Sequence, residues 1–410
     1  MIRLRVTFQH AGEGIAIALR ALRANPVRAT LTTLGIVIGV LTVILMITII
    51  QGLNESFKGQ ISFLGSGLLF VDKMPWVITD DYFLYRNRPD ISVQEYEEVK
   101  KHSHLAKTVA LSISTGKPLK FRQRSLEQVE ISGVSANYTE VITTFPKYGR
   151  FISAIDEMRN RKVVVIGSSV ADELFEKRNP IGYRISIAGE KYRVIGVLEE
   201  QGQFFGHSMD NVAIIPYGAL LKDFGKHHWV SIMAEAMDPA RIDDLEFELT
   251  GIMRRARGLK AGQDNNFAVN KQSMLLNFYN QVTSGVYTVG IVIGGISLLV
   301  GGIGIMNIMM VSVTERTREI GIRKAIGAKR INIIWQFLVE SAAICMLGGA
   351  IGIALAFGIS KIIDKFLPTS MPLWVALFGV GFSALVGVFF GLWPAVKAAK
   401  LHPIESLRYE

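Results

Sequence analysis

The stretch VYTVGIVIGGISLLVGGIGIMNIMMVSV, from Val286 to Val313, runs for twenty-eight residues without a charged side chain. A helix rising 1.5 Å per residue needs about 20 such residues to cross a hydrocarbon core of about 30 Å. Three further runs meet that length: Leu31 to Ile50, Ser341 to Ser360 and Leu373 to Val396. Buried helices of soluble proteins seldom stay apolar on every face for so long. Four transmembrane helices are therefore expected.

Charge placement orients them. Residues 1–30 carry Arg3, Arg5, Arg20, Arg23 and Arg28 against Glu13 alone. The loop between the second and third runs carries Arg316, Arg318, Arg323, Lys324, Lys329 and Arg330 against Glu315 and Glu319, and the tail carries Lys397, Lys400 and Arg408. The loop 358–372 has only Lys361 and Lys365. Both termini are expected in the cytoplasm and residues 51–286 outside. That outer segment holds 29 basic and 28 acidic residues, so nearly all of the net charge of +10 sits in the membrane part. The basic composition is a topology signal and does not call for nucleic acid. The chain meets the membrane without a recognisable cleavage site after its first run, which reads as a retained anchor. Cys345, the single cysteine, excludes an intrachain disulfide.

Within the outer segment, alternating or continuous apolar runs predict strands at Lys162–Gly167, Arg184–Ile187 and Tyr192–Leu198. Helical patterns fall at Ser92–Lys101, with Ser92 and Glu95 spaced as a capping box, at Ser168–Lys177 and at Pro239–Arg257. The mixture predicts an α+β domain of two lobes. Helical continuations of the first run to about Leu64, and from Ser273 into the second, predict a stalk. Residues 1–24, with Ile15, Ala18, Leu19 and Leu22 between arginines, read as an amphipathic surface helix ended by Asn25-Pro26.

Catalytic signals are missing. No Gly-x-x-x-x-Gly-Lys-Ser/Thr loop is present, and Thr115-Gly116-Lys117 is a fragment on the outer side. Gly167-Ser168-Ser169 lacks the spacing of a nucleophile elbow. His102, His104, His227 and His228 read as surface histidines, and no metal site is expected. Glu340, near the inner end of the third span, is expected to pair with a nearby arginine.

The segment 314–330 is short, dense in charge and pinned between two spans. Thr314 is placed to cap a helix, Glu315 to begin it and Gly327 to end it, with Ile320, Ile322 and Ile326 as an apolar ridge. On the residues alone it is either a helix presented to a cytoplasmic partner or a topogenic basic loop at the headgroups. Gly-x-x-x-Gly pairs at Gly35/Gly39, Gly290/Gly294, Gly348/Gly352 and Gly387/Gly391 allow close helix approach.

The run Leu299–Met309 followed by Val313–Ala328 resembles the MacB/FtsX family of ABC-transporter permeases, most closely its MacB branch. So do the ending Trp393–Arg408, the opening Asn25–Val40, and Ile131–Ser135 and Val163–Glu199 in the outer segment. The resemblance covers nearly the whole chain. It implies four spans, a large extracytoplasmic domain between the first two, and a homodimer working with two ABC ATPase subunits that bind the ATP and Mg. This chain would then be no enzyme and hold no cofactor. MacB carries its ATPase at its own N-terminus, whereas about 30 residues precede the first run here, so a separate ATPase chain is expected. The resemblance further implies a coupling helix that contacts the ATPase through Glu315, Arg316, Thr317, Arg318, Glu319, Ile320, Gly321, Ile322, Arg323, Lys324, Ala325, Gly327 and Ala328. It puts spans one and two, with Gly35, Gly39, Gly290 and Gly294, at the dimer seam. Partners would include the inner-membrane bilayer, an adaptor (membrane-fusion) protein and an outer-membrane channel.

The organisation expected is an amphipathic helix over 1–28, spans over 29–53, 286–313, 331–360 and 373–396, an extracytoplasmic domain over 54–285, a coupling helix over 314–330 and a cytoplasmic tail over 397–410. Three functions stay open: tripartite export by mechanotransmission, signalling to an envelope hydrolase as in FtsX-like relatives, and lipoprotein extraction.

Overall fold

The computed structural model describes residues 26–61, 65, 67–78, 82–142, 144–176, 178–204, 207–226, 228–365, 369 and 371–407. The expected amphipathic helix over 1–24, residues 62–64 and His227 lie outside them. The chain forms two compact units, Met1–Phe57 with Asn280–Glu410, and Lys58–Tyr279.

The apolar runs become the helices Pro26–Ile61, Gln272–Glu315, Arg330–Ile363 and Leu373–Lys400, which belong wholly or for most of their length to the first unit. All four are long and apolar enough to cross a membrane. Lipid supplies no hydrophobic drive between helices, so close packing of small residues must hold them together. Gly35 and Gly301 meet backbone to backbone: a Cβ on Gly35 would stand 2.9 Å from the Gly301 Cα, and one on Gly301 2.8 Å from the Ile36 nitrogen. Gly39 faces Leu298, Gly290 faces Met46 and Gly294 faces Val43. The four glycines assigned to packing or to a dimer seam are thus all occupied by contacts within one chain. Gly348 and Gly352 receive Ile36 and Val37 of the first helix. Gly387 lies against the Ser341 carbonyl, closing the third helix on the fourth. Ile36, Val40, Ile44, Leu298, Ile305, Phe337 and Ile344 fill the space between.

The second unit is built on β1 (Leu68–Asp72), β2 (Ala106–Phe121), β3 (Arg124–Val134), β4 (Pro146–Gly149), β5 (Val163–Ile166), β6 (Arg184–Ile187), β7 (Glu190–Leu198), β8 (Gln203–Phe204), β9 (His207–Ser208), β10 (Val212–Pro216), β11 (Trp229–Ala236) and β12 (Ala268–Lys271). Nine of them follow the order β12-β1-β11-β2-β3-β10-β5-β7-β4, with β6 bridging β2 and β7, while β8 and β9 form a separate pair. The two expected lobes therefore share one ten-stranded sheet. The run Val163-Val164-Val165-Ile166 is continuous rather than alternating because β5 is covered on both faces. Val164 and Ile166 join the main core with Leu111, Ile131, Ile215, Tyr96 and Leu249, while Val163 and Val165 join a smaller one with Ile152, Ile195 and Ile214.

Helix Val93–His102 starts at the expected capping box. The Ser92 Oγ accepts from the Glu95 amide at 3.4 Å, and Glu95 Oε2 accepts from the Ser92 amide at 2.6 Å. It packs on helix Ile242–Ala256, and Arg257 locks the two by donating to Glu95 at 2.7 Å with both side chains largely buried. Of the expected Ser168–Lys177 helix, Ser168–Phe175 forms and ends at Glu176 in the left-handed region.

Candidate coupling surface

The segment between the second and third spans does not form one helix over 315–328. Glu315 is the last residue of Gln272–Glu315, Arg316 turns the chain at φ −101° and ψ 15°, and a new helix runs Thr317–Ala325. Thr314 caps nothing, because its hydroxyl donates back to the Val311 carbonyl at 2.7 Å. Thr317 does the same toward Val313 and Thr314, at 3.0 and 2.8 Å, and is buried. Such back-bonding competes with capping. The far end behaves as expected. Gly327 sits at φ +99°, its amide donates to the Lys324 carbonyl and the Ala328 amide to the Arg323 carbonyl, each at 3.0 Å. Those two bonds make a Schellman stop, in which glycine avoids the left-handed penalty.

Three cations brace this short helix against the spans. Arg316 Nη1 reaches both oxygens of Glu340 at 3.3 Å, and Glu340 is 2% exposed. This is the arginine pairing expected for Glu340. Arg323 donates to Gln336 Oε1 of the third span at 2.5 Å. Lys324 Nζ donates to the carbonyls of Ala399 and Leu401, both at 2.6 Å. Those carbonyls end the fourth-span helix, where no further amide follows to bond them and where the helix dipole favours a cation. Burial first, and then the charge of Arg330, pull the Lys324 ammonium below the usual lysine value.

The apolar ridge splits. Ile320 is buried with Thr317 and Gly321 against the unit, whereas Ile322 is 44% and Ile326 82% exposed. Glu315, Arg318, Glu319, Arg323, Ala325 and Gly327 are exposed around them, and Arg316, Lys324 and Ala328 are half-buried. The outward face is thus a small apolar tip in a charged rim. Sequence reasoning missed a second element, helix Pro403–Leu407, which packs against Thr317–Ala325 and exposes Ile404. Pro403 at a first helical position after Leu401-His402 was the available signal.

The family model described as the MacB-like periplasmic core domain matches residues 29–252, and that of the FtsX-like permease C-terminal matches 291–403. A macrolide export ATP-binding/permease protein MacB of Bdellovibrio bacteriovorus is 37% identical over 99% of this chain and 62% of its own length. An uncharacterized ABC transporter permease, YknZ of Bacillus subtilis, is 32% identical over 97% of this chain and 99% of its own. The chain spans about six-tenths of the MacB relatives it matches. Among solved structures, the periplasmic region of MacB from Actinobacillus actinomycetemcomitans aligns with a TM-score of 0.45 at 17% identity, over 53% of this chain and 94% of that one. The extracellular domain of a YknZ transporter from Gram-positive bacteria aligns at 0.41 and 19%, over 49% and 98%.

Proposed function

This chain belongs to the MacB/FtsX-like family of ABC transporter permeases, and on that premise we propose that it couples ATP hydrolysis on a separate subunit to export from the outer side of the membrane. The observation that carries the reading is the braced helix Thr317–Ala325. Its rear is tied to the third span through Arg316–Glu340 and to the end of the fourth through Lys324, while Ile322 and Ile326 face outward. A push on those two isoleucines has little slack to take up before the spans move.

Two ABC ATPase subunits would dock there, binding the ATP and Mg, with both termini of this chain on the same cytoplasmic side. The spans would pass the motion to the outer domain without carrying substrate across the bilayer, and an adaptor protein and outer channel would take the substrate onward. The MacB names of the relatives favour export over signalling or lipoprotein extraction.

A homodimer needs a seam other than the four glycines. The second span leaves Val282, Val286, Val289, Ile293, Ile296, Val300 and Ile303 exposed. They repeat at alternating steps of four and three, the spacing of a two-helix heptad seam, and we place the second copy there. Glu319→Lys or Ile322→Asp is expected to abolish export in cells while the chain still reaches the membrane in normal amount. Export at the wild-type rate in both variants would remove the coupling role.

A further inference from the structure

The outer domain balances its charges in number but not in place. Strands β2, β6 and β7 are paired so that Lys120 lies opposite Ser186, Ser186 opposite Lys191, and Arg184 opposite Arg193. Directly paired residues project to the same side of a sheet. Their neighbours Leu119, Ile185, Ile187 and Tyr192 are buried on the other side. With Arg122 from the β2–β3 turn, five cations and one serine hydroxyl therefore share a single face. Among the described residues no carboxylate pairs with any of the five. The nearby cations do find partners, Arg124 in Glu176 and Lys162 in Glu190 and Asp223.

Like charges set directly opposite each other destabilise a sheet. Arg184 opposite Arg193 is such a pair, so this face is built at some expense to the fold. It is also shallowly hollowed: Lys120, Arg122, Arg184, Ser186 and Lys191 line an open cleft of about 330 Å³. A second cleft of about 390 Å³ adjoins it through Arg122 and is walled partly by Phe121 and Phe175.

We propose that this cleft on the outer domain binds a phosphate-bearing ligand. Arginine forks match phosphate oxygens two at a time, lysine ammoniums add point charge, and the Ser186 hydroxyl supplies a neutral donor between them. The cleft has room for a few phosphate groups. The proposal stands apart from the coupling reading, since it uses no residue of the membrane unit.

The test uses the full chain in phosphatidylcholine discs, titrated calorimetrically with sodium tripolyphosphate, with dihexanoylphosphatidylglycerol and with a hexa-aspartate peptide. Tripolyphosphate or the short-chain lipid is expected to bind, more weakly as salt rises. The double variant Arg184→Ala/Lys191→Ala should lose at least about tenfold in affinity, the cost of one to two charge-assisted hydrogen bonds. Its unfolding midpoint should hold or rise, because a cross-strand repulsion is relieved. Arg184→Lys/Lys191→Arg should retain binding, and Arg159→Ala/Lys226→Ala, exposed elsewhere, should leave it unchanged. Tighter binding of the lipid than of tripolyphosphate identifies a membrane headgroup as the source, and the reverse order a soluble phosphate compound. Undiminished phosphate binding in the first double variant overturns the proposal. So does binding of hexa-aspartate alone, which would make the face a docking site for an acidic protein.

Discussion

Arginines and lysines in the two units are used in opposite ways. Around Thr317–Ala325, Arg316, Arg323 and Lys324 are each held by an acceptor of the same chain. On the face formed by β2, β6 and β7, five cations stand side by side with no acid among the described residues to answer them. A paired cation fixes a helix in place, whereas a cluster without acids among it attracts anions from outside. The coupling segment contains both kinds, since Arg318 is exposed beside Ile322 while Arg316 is tied to Glu340. Pairing, rather than charge itself, separates the brace from the outward face.

The contrast breaks most visibly at Glu340. Removing one partner of a buried ion pair leaves the other uncompensated, at a cost of about 3–5 kcal/mol. Glu340→Ala should lower the unfolding midpoint in detergent sharply, and Arg316→Met/Glu340→Met should recover much of the loss. A single variant as stable as the wild type would mean that the pair braces nothing.

Lys324→Met should cost less, about 1–2 kcal/mol, because two helix-end carbonyls lose a charged donor but can turn to water. Its signature is faster amide exchange at Ala398–Leu401 with the rest of the fourth span unchanged.

The smallest effect sharpens the comparison inside the outer domain, at a charge that is paired. Burial alone would raise the Asp156 carboxyl. The Arg150 guanidinium at 2.5 Å, the Ser153 hydroxyl and the Ser153 amide outweigh it and hold the group well below the usual carboxylate range. A depressed folded-state value stabilises the fold above the unfolded-chain value of about 3.9, and that contribution is lost as pH falls through the folded one. The wild type should therefore lose stability below about pH 4, and Asp156→Asn should be less stable at neutral pH with a flatter acid limb. Parallel acid limbs would mean that Asp156 contributes nothing.

Much of this was legible in the residues because the deciding signals are local. Four uncharged runs fixed the spans, Ser92 with Glu95 marked a helix start, and Gly327 marked a helix stop. What stayed hidden depends on pairing at a distance. The β2–β3 hairpin turns on Arg122-Gln123, with Arg122 at φ +54°, and lacks the Asn-Gly type of turn that announces a hairpin. The basic face arises only when β6 lies between β2 and β7, since its cations come from three separate stretches of chain. In the coupling segment the helix start was misplaced by two residues because Thr314 and Thr317 bond backward to carbonyls rather than forward to amides. Gly-x-x-x-Gly spacing showed that helices would meet closely, but not which helices.

The most direct test is ATP turnover by the chain co-purified with a co-expressed ABC ATPase subunit, in lipid discs, comparing the wild type with Ile322→Asp and Ile326→Asp. A central apolar contact of an interface is worth about 2 kcal/mol, or about 30-fold in affinity. The wild type is expected to form a stable complex whose affinity falls by about that factor in either variant, with permease-dependent turnover lost and the unfolding midpoint of the permease unchanged. Full binding and full turnover in both variants would contradict the coupling role, and would leave the braced helix without a motor to answer to.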